Sequence, residues 1–445
     1  MFRGRMRRRA QHEYASVQFT HAARNEKPSP PSISLPYDFL GENPMGYDAP
    51  FAGLTVLDLS QGIAGPYCGM LLAQQGADVI KVEPVVGGDW ARRLGVVYGD
   101  QTAYSIAGNL GKRSLALDLK SEDGKEILRQ LADKADVFME GFRPGVAARL
   151  GFGYDTVSAR NPKLIYLSVS GFGQSGPLSH RPALDPALQA LTGMMSSNKG
   201  EDGIPHRVMF IPVDMATGLY SFQALSSALY AKRDEDKGCY IDNSLMRSGL
   251  AIQSVRFIAN TLEGGEMLPG ASPHGVFPAS DGWVTFVAMN DKQFADLCDA
   301  LDRHELSNDP RFQTNADRNA NADELNEAIH EAMKKQPAAY WLERLEEAGI
   351  VHEALNDYED FLDHPQAQAD NSVIWLDQPG LNGPAPVPNL AGVCPPENGS
   401  QRGTAPQLGH HTRQILTSLG YDKTAIRKLA ERGVVGGPGL PPATG

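Results

Sequence analysis

The chain has 445 residues, of which 41% are hydrophobic and 21% charged, and its net charge is −12. This is the composition of a folded globular protein, and the length exceeds one ordinary core, so two domains or one large domain with an insertion are expected. The acidic balance argues against nucleic acid and anionic membranes as partners, so an anionic ligand needs a local basic patch.

Four cysteines, Cys68, Cys239, Cys298 and Cys394, lie far apart without metal or redox spacing, which reads as reduced thiols in a cytoplasm. No apolar run approaches the roughly 20 residues that cross a bilayer, and none follows the early arginines, so neither export nor a membrane span is expected.

Residues 1–47 combine Arg3, Arg5, Arg7, Arg8 and Arg9 with Pro28-Ser29-Pro30-Pro31, a composition that buries little surface and reads as a flexible tail. The arginines admit two readings, an amphipathic targeting segment or an adventitious leader. From Leu54 the pattern becomes regular: a strand over 54–59, a Gly/Pro turn, a helix ending at Gly76 and a strand over 77–82. Further strands are expected over 114–119, 136–139 and 164–169, with helices over 121–135, 146–150 and 218–230. Strands alternating with helices imply parallel pairing and right-handed crossovers, hence an α/β fold with a Rossmann-like sheet in a large domain over 48–250.

Glu263-Gly264-Gly265 and Pro269-Gly270 mark a linker over 251–269. A strand over 283–288 and helices over 292–301, 321–334 and 338–348 make a small α+β domain of residues 270–360. Residues 361–435 are expected to return to the large domain through a helix after Pro406, and 436–445, rich in Gly and Pro, to fray. No repeat of fixed period occurs, which excludes solenoids and propellers.

The turn Ser60-Gln61-Gly62-Ile63-Ala64-Gly65-Pro66 joins a strand to a helix, where outward N–H groups can receive phosphate. Alone it reads equally as a plain tight turn. This turn carries neither G-x-G-x-x-G nor a Walker A lysine, so it does not indicate NAD or ATP.

Three segments extend that turn. The first is Gly53-Leu54-Thr55-Val56-Leu57-Asp58-Leu59, continuing through Ala64-Gly65-Pro66 to Gly76-Ala77-Asp78-Val79-Ile80-Lys81-Val82-Glu83; the second is Lys112-Arg113-Ser114-Leu115-Ala116-Leu117-Asp118-Leu119-Lys120. The third runs from Phe142-Arg143-Pro144-Gly145 through Arg149-Leu150-Gly151 to Gly171-Phe172-Gly173-Gln174-Ser175-Gly176-Pro177. Together with Asp309-Pro310-Arg311-Phe312 and Ala405-Pro406-Gln407-Leu408-Gly409-His410-His411-Thr412, they make the chain resemble the class III CoA-transferase family, which includes formyl-CoA transferase, over about residues 50–435. The resemblance implies that the backbone of Gly62, Ile63 and Ala64 and the side chains of Leu117, Lys120, Phe142 and Arg149 hold coenzyme A. Lys120 and Arg149 would supply the cationic donors that the CoA phosphates need. Gly141 departs from the pattern, which has Asn before the Phe, and a hydrogen bond to CoA is expected to be missing there.

Ile211-Pro212-Val213-Asp214-Met215-Ala216-Thr217-Gly218 resembles the family's Asp-x-x-x-Gly motif at a helix start. The resemblance therefore implies Asp214 as a nucleophile that forms an aspartyl anhydride and then an aspartyl-CoA thioester. Read from residues alone, Asp214 is a helix N-cap. Asp185 matches an acidic active-site position and would orient the acceptor or assist proton balance; the other reading is an N-cap before a helix over 186–194. Asp202, in Gly200-Glu201-Asp202-Gly203, is assigned to a turn. His206, Arg207 and His274 are candidate contacts for a second carboxylate, with His274 in a loop over the site. His410 and His411 lack metal-site spacing, and no metal is expected.

Two alternatives remain. A racemase of the α-methylacyl-CoA type shares the resemblance but places His before the acidic residue that here is Asp185, where this chain has Leu184. A noncatalytic CoA-binding subunit of a heteromer is the other, and the presence of Asp214 speaks against it. The resemblance also implies an interlocked homodimer, acyl-CoA and carboxylic acids as substrates, and leaves the acids open.

Overall fold

The computed structural model describes residues 48–200, 202–265 and 270–443. The readings on residues 1–47, on linker residues 266–269 and on the last two positions of the tail lie outside the described residues.

Six strands form one parallel sheet: β1 (Thr55–Asp58), β2 (Asp78–Glu83), β3 (Arg113–Leu117), β4 (Val137–Glu140), β5 (Ile165–Ser170) and β6 (Tyr240–Ser244). The spatial order β3-β2-β1-β4-β5-β6 reverses direction between β1 and β4, and in such sheets the crevice beyond the carboxyl ends at that reversal is where ligands bind. Alternation along each strand divides the apolar residues between two faces. Leu57, Ile80, Leu115 and Phe138 pack on one face with Ile127 and Leu131 of the helix Glu122–Ala132 and with Ile415 and Leu429 from the chain's end. Val56, Val79, Val137 and Leu167 point the other way, against Leu72 of α1 (Ala64–Gln74), Leu188 of α2 (Asp185–Leu191) and Leu225 of α3 (Pro212–Ala231). The result is a helix–sheet–helix sandwich, with Val435-Gly436 pairing antiparallel to β3 at the outer edge.

A second core, built on Phe286, Leu297, Leu325 and Trp341, sits under the antiparallel sheet of β7 (His274–Pro278), β8 (Trp283–Val287) and β9 (Val351–Ala354). The span 251–269, expected to be a linker, contains the helix Ser254–Leu262, none of whose residues is buried, with Val255 and Leu262 at least four-fifths exposed. Among the described residues no helix is long and apolar enough to cross a membrane.

Toward the carboxyl ends of β1 and β2 and at the start of β3, the α1-facing side of the sheet changes from apolar to ionic. Asp58, Lys81, Glu83 and Ser114 are all at most 1% exposed. Lys112 Nζ donates to Asp58 (2.7 Å) and to the Pro66 carbonyl (2.7 Å), Lys81 pairs with Asp89 (2.9 Å), and Arg92 grips both oxygens of Glu83 (2.7 and 2.9 Å). Three cations thus meet three anions in a dry layer, each charge also hydrogen-bonded, which is the condition under which buried ions are tolerated. Burial pushes Lys112 down to about 8 against the pull of Asp58. Arg92 also donates to the Pro406 carbonyl (3.0 Å), and Ser114 Oγ accepts from the Gly409 N–H (2.8 Å), so the layer ties the chain's late segment to β3.

Removing one ion should therefore cost far more than removing both. Arg92→Met is expected to destabilise by about 3–5 kcal/mol because it strands Glu83, and Glu83→Leu with Arg92→Met should recover most of that loss. Urea unfolding of the two variants checks it; equal losses would show that the pair is not the source.

Candidate active site

The turn after β1 is shaped by the ionic layer. Lys81 Nζ donates to the Ser60 carbonyl and Asp58 accepts from Ser60, while Asp89 accepts the Gly62 N–H (2.9 and 3.1 Å). Gly62 has φ +82°, and a Cβ there would stand 2.2 Å from the Trp90 ring, so both conformation and space demand glycine. α1 begins at once, and the N–H groups of its first turn have no acceptor within the helix.

α3 delivers Asp214. Its N-cap is Ile211, held at φ 55°, ψ 53°, a left-handed conformation that costs a β-branched residue on the order of 1–3 kcal/mol. The N-cap carries no side-chain hydrogen bond; Asp185 of α2 acts instead, its Oδ2 accepting from the N–H of Val213 (2.8 Å) and of Asp214 (3.0 Å). Asp185 is the first residue of α2 rather than its N-cap, which corrects the capping reading, and it is 2% exposed with both carboxylate oxygens engaged inside the protein. Asp214, at the third position of α3, is likewise no N-cap, so its carboxylate is not spent on capping.

Gly218 follows Asp214 by four residues and shares its helix face. A Cβ at Gly218 would lie 2.8 Å from the Tyr67 ring and 3.0 Å from the Ala64 carbonyl, so glycine in the second turn of α3 lets that helix meet the first turn of α1. Asp214 stands one helical turn before that contact. The first turn of a helix favours an ionised carboxylate, but burial, joined by the negative charge of Asp185, wins and raises Asp214 from 3.8 to about 7.

The expected cofactor residues divide. Lys120 and Arg149 are exposed and, among the described residues, pair with no carboxylate; Lys120 follows β3 and Arg149 lies on the helix Val146–Leu150 after β4. Phe142 is half-buried, its N–H fixed by Glu140 Oε2 (2.8 Å). Leu117 is corrected: its side chain is 1% exposed within the core and faces no ligand. The Gly62 N–H is corrected too, since Asp89 takes it, which leaves Ile63 and Ala64 as the available donors of that turn. At Gly141 a Cβ would stand 3.2 Å from Ser60; the side chain absent there would have had to share the space where the two turns touch.

His206 and Arg207 are exposed on the segment that runs into α3, and Asp202 accepts the Ile204 N–H (2.9 Å) in a turn. His274 lies exposed at the start of β7, with no contact to Asp214 among the described residues. His411 accepts from the Ser114 N–H (3.2 Å) and is lowered to about 4 by burial, then by His410 and Arg113, so it serves the sheet edge. An apolar hollow of about 130 Å³ is walled by Met215, Tyr67, Leu110 and Val393 but not by Asp214. Among the described residues no cluster of His, Cys, Asp or Glu suits a metal ion. Asp89 and Gln189 were missed in the sequence; Gln189 left one signal, a glutamine at an inward helix position beside Leu188.

Residues 51–412 match the model of CoA-transferase family III. Over 332 residues, covering 73% of this chain and 85% of the relative, the chain is 41% identical to an acetyl-CoA:oxalate CoA-transferase of Acetobacter aceti. It is 34% identical over 395 residues to the succinyl-CoA:glutarate CoA-transferase of Homo sapiens, covering 87% and 90%. A CaiB/BaiF family protein from Brucella suis has the same fold, with TM-score 0.73 at 31% identity, covering 84% of this chain and all of that one.

Two variants test this geometry. Unfolded Asp214 ionises near 3.8 and folded Asp214 near 7, so between those values the unfolded chain holds fewer protons and stability falls as pH rises. Asp214→Asn removes that loss, and its Tm advantage over wild type should open between about pH 4 and 7 and then stay level. Gly218→Ala should cost about 1–3 kcal/mol in thermal unfolding by overpacking Tyr67 and Ala64.

Proposed function

The chain belongs to CoA-transferase family III, and on that footing we propose that it moves CoA from an acyl-CoA thioester to a small dicarboxylic acid through covalent intermediates on Asp214. The carboxylate attacks the thioester carbonyl and expels CoA thiolate, giving an acyl-aspartyl anhydride. The thiolate then attacks the aspartyl carbonyl of that anhydride, releasing the donor acid and leaving an aspartyl-CoA thioester. The acceptor carboxylate attacks this thioester, expels the thiolate, and the thiolate takes the acceptor's acyl group, restoring Asp214.

The observation that carries this reading is an uncommitted carboxylate in a helix first turn, with its basicity raised by burial. A more basic carboxylate is a better nucleophile once ionised, and the N–H groups of Ile63 and Ala64 supply oxyanion donors across the α1–α3 contact. Lys120 and Arg149 suit the diphosphate and ribose phosphate of CoA. The dicarboxylate acceptor is supported by relatives named for oxalate and glutarate, and by His206 and Arg207 on the approach to α3 as partners for its second carboxylate. Against the racemase reading stand Leu184 in place of His and the enclosure of Asp185. We further propose a homodimer, supported by the uncovered apolar face of the helix Ser254–Leu262, and a reducing compartment such as the cytoplasm, supported by four unpaired thiols.

Incubation with an acyl-CoA and then hydroxylamine should leave a hydroxamate on Asp214, detected by peptide mass spectrometry, and none in Asp214→Ala. α-Proton exchange in deuterated water without trapping would instead establish the racemase. Because the nucleophile must be ionised, kcat/KM should fall about tenfold per pH unit below about 7.

A further inference from the structure

Gln189 is 1% exposed, and every polar atom of its amide is in use. Its Oε1 accepts the Val208 N–H (2.9 Å), while Nε2 donates to the Val208 carbonyl (2.9 Å) and to Asp185 Oδ1 (2.6 Å). The two bonds to Val208 fix which way the amide faces, so an N–H must point at Asp185. Asp185 stands one helical turn earlier on the same face of α2 and holds the N–H groups of Val213 and Asp214. Residues 208–214 therefore form an arch pinned to one helix at both feet. Met209 and Phe210 are exposed along it, and Ile211 is bent into the left-handed region just before the nucleophile.

We propose that Gln189 is a positioning residue for the transfer reaction: by clasping Val208 and orienting Asp185, it fixes the arch that aims Asp214. Gln189 touches no substrate and acts only through Asp185 and the backbone. The proposal rests on Asp214 being the nucleophile. An arch anchored at one foot would leave Ile211 free to relax out of its strained conformation, and a displacement of about 1 Å at a reacting group lowers turnover by up to about 100-fold. Binding of CoA, which relies on other residues, would be spared.

The readout is the transferase rate as a function of pH, so the groups around Asp214 matter. The elements packed on α3 carry Asp185 on α2, Tyr67 on α1, Tyr166 on β5, Tyr240 and Asp242 on β6, and Arg247 on the helix Leu245–Ala251. The charge among them that acts on Asp214 is that of Asp185. Gln189→Leu should lower kcat roughly 10- to 100-fold at every pH, with KM for the acyl-CoA unchanged. Gln189→Glu should behave differently. Ionised, it can accept from Val208 but cannot donate to Asp185; protonated, it again offers one donor and one acceptor. Its kcat relative to wild type should therefore be low at pH 8.5 and recover toward pH 6.

A ratio flat across that range in folded Gln189→Glu, or a wild-type kcat in Gln189→Leu, would overturn the proposal. Should Gln189→Leu fail to fold, Gln189→Glu purified at pH 6 carries the test alone. Hydroxylamine trapping on the wild-type enzyme keeps the outcomes separate: without an Asp214 hydroxamate the transferase chemistry itself fails, whereas trapping with a flat ratio removes only the role of Gln189.

Discussion

The close approach of α3 to the first turn of α1, permitted by the missing side chain at Gly218, is the constraint on which the rest of the molecule depends. α1 can start where it does because the buried ions beneath it hold Ser60, Gly62 and Pro66. α3 can rest on Ala64 only because nothing projects from Gly218. Asp214 inherits its position from both. The fold thus transmits order from a dry charged layer, through a turn and a helix contact, to a single carboxylate that is otherwise held by little more than its own backbone.

Charge is distributed with the same economy. An acidic chain commits Lys81, Arg92 and Lys112 to the interior, where they shape the turn but cannot reach a ligand. Lys120 and Arg149, by contrast, are exposed and unpaired among the described residues, which leaves their charge unspent at the surface. Asp185 lies between these two regimes. It is negative, buried and fully hydrogen-bonded, and it makes the neighbouring carboxylate harder to ionise. This is a local cost to stability of the kind that active sites carry.

Much of the sheet was legible because β1 to β5 alternate apolar residues in short runs between turn signals, and those strands fall within a residue or two of expectation. β6 was not, because Asp242 and Asn243 interrupt its apolar pattern and its place in the sheet comes from pairing with β5. Asp214 was legible as a candidate nucleophile through its motif, yet the packing reason for that motif was not: Gly218 answers to Ala64, more than 150 positions earlier. Asp185 was found as an acid, but the helix it caps was not, since capping a helix that begins 27 residues later leaves no local trace. Leu117 misled in the opposite sense. A core leucine and a ligand contact look alike in sequence, and only the sheet decides which way the side chain points.

The segment that closes the outer edge of the sheet has a consequence for biosynthesis. Arg92 finds its acceptor at Pro406, 314 residues later, and β3 finds its edge partner at Val435. At the usual pace of translation, an emerging chain spends roughly 15 to 60 s with that arginine lacking its distant acceptor and that edge uncovered. Throughout that interval a parallel strand with open hydrogen-bonding groups invites stray pairing, so the nascent protein depends on its final stretch to become safe from aggregation.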